Sequence, residues 1–233
     1  MASANRRCRG GAGTGGKPVV AKLPSPPSDG RLGKLSAPVR LLKPGMWLAR
    51  IGFAGGDHPS AWSQLRHWGP GAGRFDHHLP DENGQPHQQQ RGILYAAADY
   101  RTCIAEVFQQ TRVVDVTLRL PYLAVWQNTT ILQLLDLTGA FVTRMGASTA
   151  IHSGNRGRTR QWAQVLYAAW RELDGISYCS SMNGNAESFA LNERALAKHP
   201  FPDRPASLRM LGGPLIANEM DDAAWRLGYI VKR

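Results

Sequence analysis

Gly92-Ile93-Leu94-Tyr95-Ala96-Ala97-Ala98-Asp99-Tyr100-Arg101-Thr102-Cys103-Ile104-Ala105-Glu106-Val107-Phe108-Gln109-Gln110 passes without a break from one periodicity to another. Residues 92–96 are a short continuous apolar run, which predicts a buried strand. Asp99 is a good helix N-cap, and Ile104, Val107 and Phe108 recur at helical spacing, which predicts a helix from there to about Gln110. Each half carries one polar residue inside a core-like segment, Tyr95 in the strand and Glu106 in the helix.

Outward from this unit the same reading predicts strands over residues 46–51, 113–120, 131–137, 176–180, 189–191 and 208–211, with a helical turn left open for 131–137. Trp162, Val165, Leu166, Ala169 and Leu173 follow helical spacing and predict an amphipathic helix closed by Asp174-Gly175. A last helix over 220–227 is stopped by Gly228, and residues 229–231 are predicted to end the sheet. Residues 68–90 are rich in Gly, Pro, His and Gln and predict an extended loop, interrupted only by Arg74-Phe75. No regular strand–helix–strand repeat runs through the chain, which points to an α+β fold rather than a doubly wound nucleotide fold.

A chain of 233 residues that is 42% hydrophobic and 19% charged has material for one substantial core. The net charge is +11, of which residues 1–43 supply nine Lys/Arg against one Asp, or +8, leaving +3 for the rest. Residues 1–40 are rich in Gly, Pro, Ser and basic side chains and too poor in large apolar groups to offset the entropy of ordering. The expected organisation is a flexible basic arm over 1–43 and a single domain over 44–233. Gly11-Ala12-Gly13-Thr14-Gly15-Gly16 formally fits a dinucleotide-binding loop, but no strand precedes it and Pro18 follows it, so the match is read as accidental.

Cys8, Cys103 and Cys179 make an odd count without a CxxC pair, which suggests neither a disulfide framework nor a zinc knuckle. The expectation is a reducing, cytoplasmic setting. No run approaches the roughly 18 apolar residues of a membrane span, so the chain reads as soluble, with no membrane partner.

The candidate functional residues each have an ordinary explanation. Glu106 has an apolar side formed by Ile104, Ala105, Val107 and Phe108, as a carboxylate at a pocket rim would, yet Arg101 and Arg112 are near enough in sequence to solvate it. Arg74 follows Gly71-Ala72-Gly73, where small residues open the backbone beside a guanidinium suited to bidentate phosphate bonding, although a solvated loop arginine has the same pattern. Arg50 lies inside an apolar strand, where its charge calls for an anion. Tyr95 reads equally as a core aromatic, and Ser180 and Ser181 as strand-end hydroxyls.

Taken together, six stretches resemble the RES-domain family in content and order, over about residues 45–231: Gly73-Arg74-Phe75-Asp76, Gly92-Ile93-Leu94-Tyr95-Ala96-Ala97, Ala105-Glu106-Val107-Phe108, Leu134-Leu135-Asp136-Leu137-Thr138, Asp174-Gly175-Ile176-Ser177-Tyr178-Cys179-Ser180 and Ala190-Leu191-Asn192-Glu193-Arg194-Ala195. The resemblance implies a mixed sheet like that of ADP-ribosyltransferases, flanked by helices, and a bacterial, cytoplasmic toxin that consumes NAD. It also implies a cognate Xre-type antitoxin as partner. It places catalytic roles on Arg74, Tyr95, Glu106 and Ser180, and substrate-binding roles on Arg50, Arg74 and Tyr95, with NAD as substrate and no metal. Arg91 stands as a substitute for Arg74, and Ser181 as the alternative to Ser180. The acceptor stays open between water, inorganic phosphate as co-substrate, and a protein side chain.

Two readings come from other classes. The basic arm suggests a non-catalytic protein that binds nucleic acid, although the arm has no interleaved aromatics and the body no nucleic-acid-binding signature. His58, His67, His77, His78 and His87 crowd one segment and suggest a metal-dependent hydrolase, but no HExxH or matching carboxylate spacing accompanies them, and such loop histidines are expected to face solvent.

Overall fold

The strand predicted at 92–96 is the inner half of an 11-residue strand at the centre of a mixed sheet. The structure is a computed structural model that describes residues 21–28 and 30–233. In chain order its elements are β1 (Val39–Leu42), β2 (Trp47–Phe53), β3 (Arg66–Gly69), β4 (His87–Ala97), α1 (Tyr100–Val107), β5 (Val113–Asp115), β6 (Pro121–Gln127), β7 (Leu132–Asp136), α2 (Phe141–Arg144), α3 (Ala150–Ser153), α4 (Arg156–Ala169), β8 (Gly175–Cys179), β9 (Glu187–Asn192), β10 (Ser207–Met210), α5 (Ala217–Leu227) and β11 (Ile230–Lys232). The main sheet runs β1-β7-β8-β9-β4-β2-β6-β10, with β3 also paired to β4. Its pairings are antiparallel except for β7 with β8, which gives the α+β architecture expected from the irregular mixing of strand and helix patterns.

β9 occupies one edge of β4 along residues 93–97, so β2 and β3 share the other edge. β2 meets β4 only at Ala49↔Ala97, and β3 takes over at Arg66↔Ile93. The sheet therefore splits beside Tyr95. On one face, alternate residues of β4, β7 and β9 (Ile93, Leu135, Ala190) pack under α4 through Trp162, Ala163 and Leu166. On the same face beyond the split, Ala97, Ala49 and Ile51 pack under Ile104 of α1 and Met220 and Ala223 of α5. The opposite face carries a third cluster around Trp126, Leu94 and Phe189, closed by Trp62 and Phe201.

Local chemistry sets the helix ends. Asp99 caps α1, its side chain accepting from the Thr102 N–H at 3.0 Å. α5 ends at Gly228, which takes the left-handed conformation (φ 67) that glycine adopts without a Cβ penalty. α1 stops at Val107, short of Gln110, and Val107 points to solvent while Ile104 is fully buried.

Several expectations need correction. The segment taken as an arm is structured from residue 31: Leu32 and Leu42 are buried, and β1 pairs with β7 as a strand of the sheet. Nearer the start, Leu23 packs against the α4 cluster and the Trp162 indole donates to the Pro24 carbonyl at 2.8 Å. A few well-spaced leucines suffice once a sheet edge supplies the hydrogen bonds. The remainder of the 1–43 arm, residues 1–20 with the Gly-rich stretch at 11–16, lies outside the described residues, as does Asp29.

The expected 68–90 loop holds parts of β3 and β4, and Phe75, Asp76, His77 and His78 within it are buried. The 113–120 strand is only three residues long. Residues 229–231 do not end the main sheet: β11 pairs in parallel with β5 in a separate two-stranded sheet. β6, which pairs with both β2 and β10, was not anticipated because its buried run opens on Pro121, tolerated here as the first strand residue.

Candidate active site

Glu106 lies in the last turn of α1, and Ser180 immediately follows β8. The fully buried Ser180 hydroxyl donates to Glu106 Oε1 at 2.6 Å and accepts from the Met182 N–H at 3.2 Å. Gln109 Nε2 reaches the other carboxylate oxygen at 3.2 Å. The turn after Ser180 is closed by its own N–H on the Ala186 carbonyl at 2.8 Å. It is then tied to the start of α1: Asn183 Nδ2 donates to Thr102 Oγ1 at 2.8 Å, and Thr102 Oγ1 donates to Asp99 Oδ2 at 2.6 Å. The loop that carries Ser180 and the helix that carries Glu106 are thus fixed to each other at both ends.

The aromatic part of the site comes from the sheet. Tyr178, two residues before Ser180 and on the same side of β8 as Ile176, packs on Phe75 with ring centroids 4.6 Å apart. Phe75 also meets the buried His152, whose Nε2 stands 3.1 Å from the Leu137 carbonyl. Burial raises the Tyr178 pKa, and the nearby Glu106 charge raises it further, which keeps the phenol neutral. Tyr95 lies at the split in the sheet. The residue as a whole is partly exposed while its hydroxyl is buried with no hydrogen-bond partner, so any contact with the Phe75 backbone falls short of a bond. Gly73 covers that hydroxyl closely: a Cβ there would sit 2.4 Å from it, so only glycine fits.

Arg74 follows Gly73 and donates Nη1 to the Gly154 carbonyl at 2.7 Å. Burial lowers its pKa and Arg156 lowers it further, while Glu106, Tyr178 and Tyr95 pull the other way; these five groups share one electrostatic neighbourhood. The loop itself is anchored by Asp76, fully buried, which accepts from Gly71 N–H at 2.5 Å and pairs with Arg66 at 2.7 Å and His78 Nδ1 at 2.5 Å. Burial alone would raise the Asp76 carboxyl, but the His78 and Arg66 contacts hold it well below the usual carboxylate range.

The structure therefore brings Arg74, Tyr95, Glu106 and Ser180 together and leaves the other three sequence candidates apart. Arg50 alternates with Ala49 and Ile51, so it leaves β2 from the face opposite α1, and it donates to the carbonyls of Trp62 (3.0 Å) and Gln64 (2.9 Å). Arg91 belongs to a different cluster, donating to the His77 carbonyl at 2.5 Å and lying over the Tyr167 ring. Ser181 is exposed, whereas Ser180 makes the contact with Glu106.

Tyr178, Thr102, Asn183 and Arg156 were missed. Tyr178 was legible from alternation along β8, and Thr102 from the Asp99-x-x-Thr102 capping pattern. Nothing local signals Asn183 or Arg156.

Of the clustered histidines, His77 and His78 are packed inside and His58 stays at the surface. Among the described residues no group of three or more His, Cys, Asp or Glu is placed to hold a metal, and no helix is long and apolar enough to cross a membrane.

A carboxylate held by a buried hydroxyl, within electrostatic reach of the neutral Tyr178 phenol and of the Arg74 guanidinium, is suited to stabilising a cationic sugar, and the guanidinium to binding a phosphate. Comparison with known proteins identifies the family and the fold. The RES domain matches residues 48–210. The fold is similar to that of the MbcT toxin in the crystal structure of the M. tuberculosis MbcT–MbcA toxin–antitoxin complex, with a TM-score of 0.51, 16% sequence identity, and coverage of 78% of this chain and 92% of that one. No curated protein matches the chain.

Proposed function

The chain belongs to the RES-domain family, and from that premise we propose that it is a toxin of a toxin–antitoxin pair that cleaves the nicotinamide–ribose bond of NAD. The observation that carries this reading is the Ser180–Glu106 hydrogen bond at 2.6 Å, in the electrostatic neighbourhood of Arg74 and Tyr95. Nicotinamide is cationic in NAD and departs neutral, so the bond breaks without a general acid once the oxocarbenium-like ribose is stabilised. Glu106 supplies the negative charge beside that ribose or holds one of its hydroxyls. Ser180 and Gln109 fix the carboxylate. Tyr95 packs at the nicotinamide ribose, its hydroxyl staying buried beneath Gly73. Arg74 takes the diphosphate.

The acceptor is water in hydrolysis or inorganic phosphate in phosphorolysis. The partner is a cognate antitoxin, by analogy with the toxin–antitoxin complex of the structural neighbour; the Xre type and the bacterial cytoplasm are what the family resemblance implies. Incubating purified protein with NAD, with and without inorganic phosphate, and separating the products by mass tests the reading. Nicotinamide release that Glu106→Gln abolishes supports it. ADP-ribose attached to protein instead would make the enzyme an ADP-ribosyltransferase, and intact NAD under every condition would end the reading.

A further inference from the structure

Arg74 and Arg156 each spend one N–H on the other's segment. Arg74 donates to the Gly154 carbonyl at 2.7 Å, and Arg156, the first residue of α4, donates to the Ala72 carbonyl at 3.4 Å. This exchange draws two guanidiniums together between the loop ahead of β4 and the start of α4. Both are half-buried, and neither is paired with a carboxylate among the described residues. Two other arginines near the sheet are neutralised, Arg66 by Asp76 at 2.7 Å and Arg40 by Glu187 at 2.6 Å, while Arg50 and Arg91 bond to carbonyls without the reciprocal exchange with a second arginine seen here. The mutual repulsion is felt at Arg74, whose pKa burial lowers and Arg156 lowers further.

Two like charges held close together, half out of water and without a direct ion pair, are costly in the empty protein and favourable around an anion. A guanidinium has five N–H donors in a planar fork, and carbonyl bonding uses one on each, so most of both forks remain for oxygen ligands. Two such forks match two negative charges side by side.

We propose that Arg156 acts with Arg74 as the second jaw of a clamp on the diphosphate bridge of the dinucleotide, so that the pair selects a diphosphate-containing substrate over its riboside half. The inference rests on the NAD reading for the identity of the substrate, with Glu106 and Tyr95 at the ribose beyond the bridge. Arg160, one turn further along α4, adds positive charge that reaches Tyr95.

The test compares wild type, Arg156→Gln and Arg156→Lys in two assays. In the first, the Kd of ADP-ribose, which has the diphosphate but no scissile bond, is measured by calorimetry; Arg156→Gln weakens binding about 10- to 100-fold and Arg156→Lys less. In the second, kcat/KM for NAD falls by a similar factor in Arg156→Gln, while kcat/KM for nicotinamide riboside, which has no phosphate, stays within about 2-fold. Equal losses on NAD and riboside would make Arg156 a support for the Ala72 loop and overturn the clamp. So would an unchanged Kd for ADP-ribose, or a wild-type protein that does not bind it. Wild-type binding of ADP-ribose without turnover of NAD would instead overturn the catalytic reading and leave the clamp standing.

Discussion

The Ser180 hydroxyl donates to the Glu106 carboxylate across 2.6 Å, joining the end of β8 to the last turn of α1. The bond holds a negative charge in one rotamer beside a neutral tyrosine and a basic loop. Glu106→Gln keeps the volume and an acceptor for Ser180 but removes the charge, so nicotinamide release is expected to fall about 100- to 1000-fold with little change in thermal midpoint. Ser180→Ala leaves the charge but frees the carboxylate, for an expected loss of about 10- to 100-fold. Steady-state nicotinamide release and thermal unfolding of both variants check the pair, and wild-type rates in either would remove that residue from the mechanism.

Asn183 and Thr102 set the distance that this hydrogen bond needs. Asn183→Ala and Thr102→Val each break the same link between the Ser180 turn and the α1 cap. Each is expected to lower turnover about 10-fold, and the double variant no further than the worse single one, because the two act as one connection. Additive losses in the double-mutant cycle would show independent roles.

Acid should weaken the fold through a cluster outside the site. Burial would raise the Glu193 carboxyl, but His77, the Tyr167 hydroxyl at 2.5 Å and the Gly92 N–H at 2.9 Å lower it to about 2. His77 Nε2 stands 3.6 Å from Glu193, an electrostatic contact rather than a hydrogen bond, so Tyr167 and Gly92 are the firmer causes. A carboxyl lowered on folding stabilises above its unfolded pKa near 4.5 and loses that contribution as pH falls towards 2. Burial lowers the His77 pKa despite Glu193, with His78 and Arg91 adding to the fall, so its neutral form is the one folding prefers and stability is lost as pH drops below about 6.5. The two shifts have the same sign. The urea midpoint is expected to fall continuously from about pH 6.5 downward, and Glu193→Gln should flatten the limb below about pH 4.5. A midpoint that rises on acidification would contradict both assignments.

What was legible in the sequence is what short-range chemistry decides. The Asp99 cap, the Gly228 stop and the apolar run before Tyr95 each depend on residues within one turn or one strand, and each appears in the fold. Arg74, Tyr95, Glu106 and Ser180 were legible through their motifs, and they converge. What was not legible depends on partners far along the chain. Arg50 reads as a buried charge seeking an anion, yet two carbonyls from the following loop satisfy it. His77 and His78 read as solvent-facing until Asp76, Gln164 and Tyr167 close around their segment. Asn183 and Arg156 acquire meaning only when loops far apart in sequence are brought together.

Arg40 shows the same long-range logic at the sheet edge. It crosses from β1 to pair with Glu187 of β9 through two bonds, at 2.6 and 2.9 Å, and Ser177 also donates to that carboxylate at 2.9 Å. Arg40→Ala is expected to cost about 1 kcal/mol, at the low end for a charge-assisted pair because both groups are partly exposed. The thermal midpoint should fall with nicotinamide release per folded molecule unchanged, and a change in turnover at equal stability would give Arg40 a role in the site.

The pairing of β1 with β7 bears on how the protein is trimmed. Composition invites a cut at residue 44, but that cut removes the strand that covers β7, whose Leu132, Leu134 and Leu135 are all buried. The shortened chain would present a greasy, unpaired sheet edge, a ready template for other copies to add to. It would come down as aggregate, and the silence of an insoluble fragment in any assay would speak of a lost edge strand, not of an activity housed in the basic N-terminal segment.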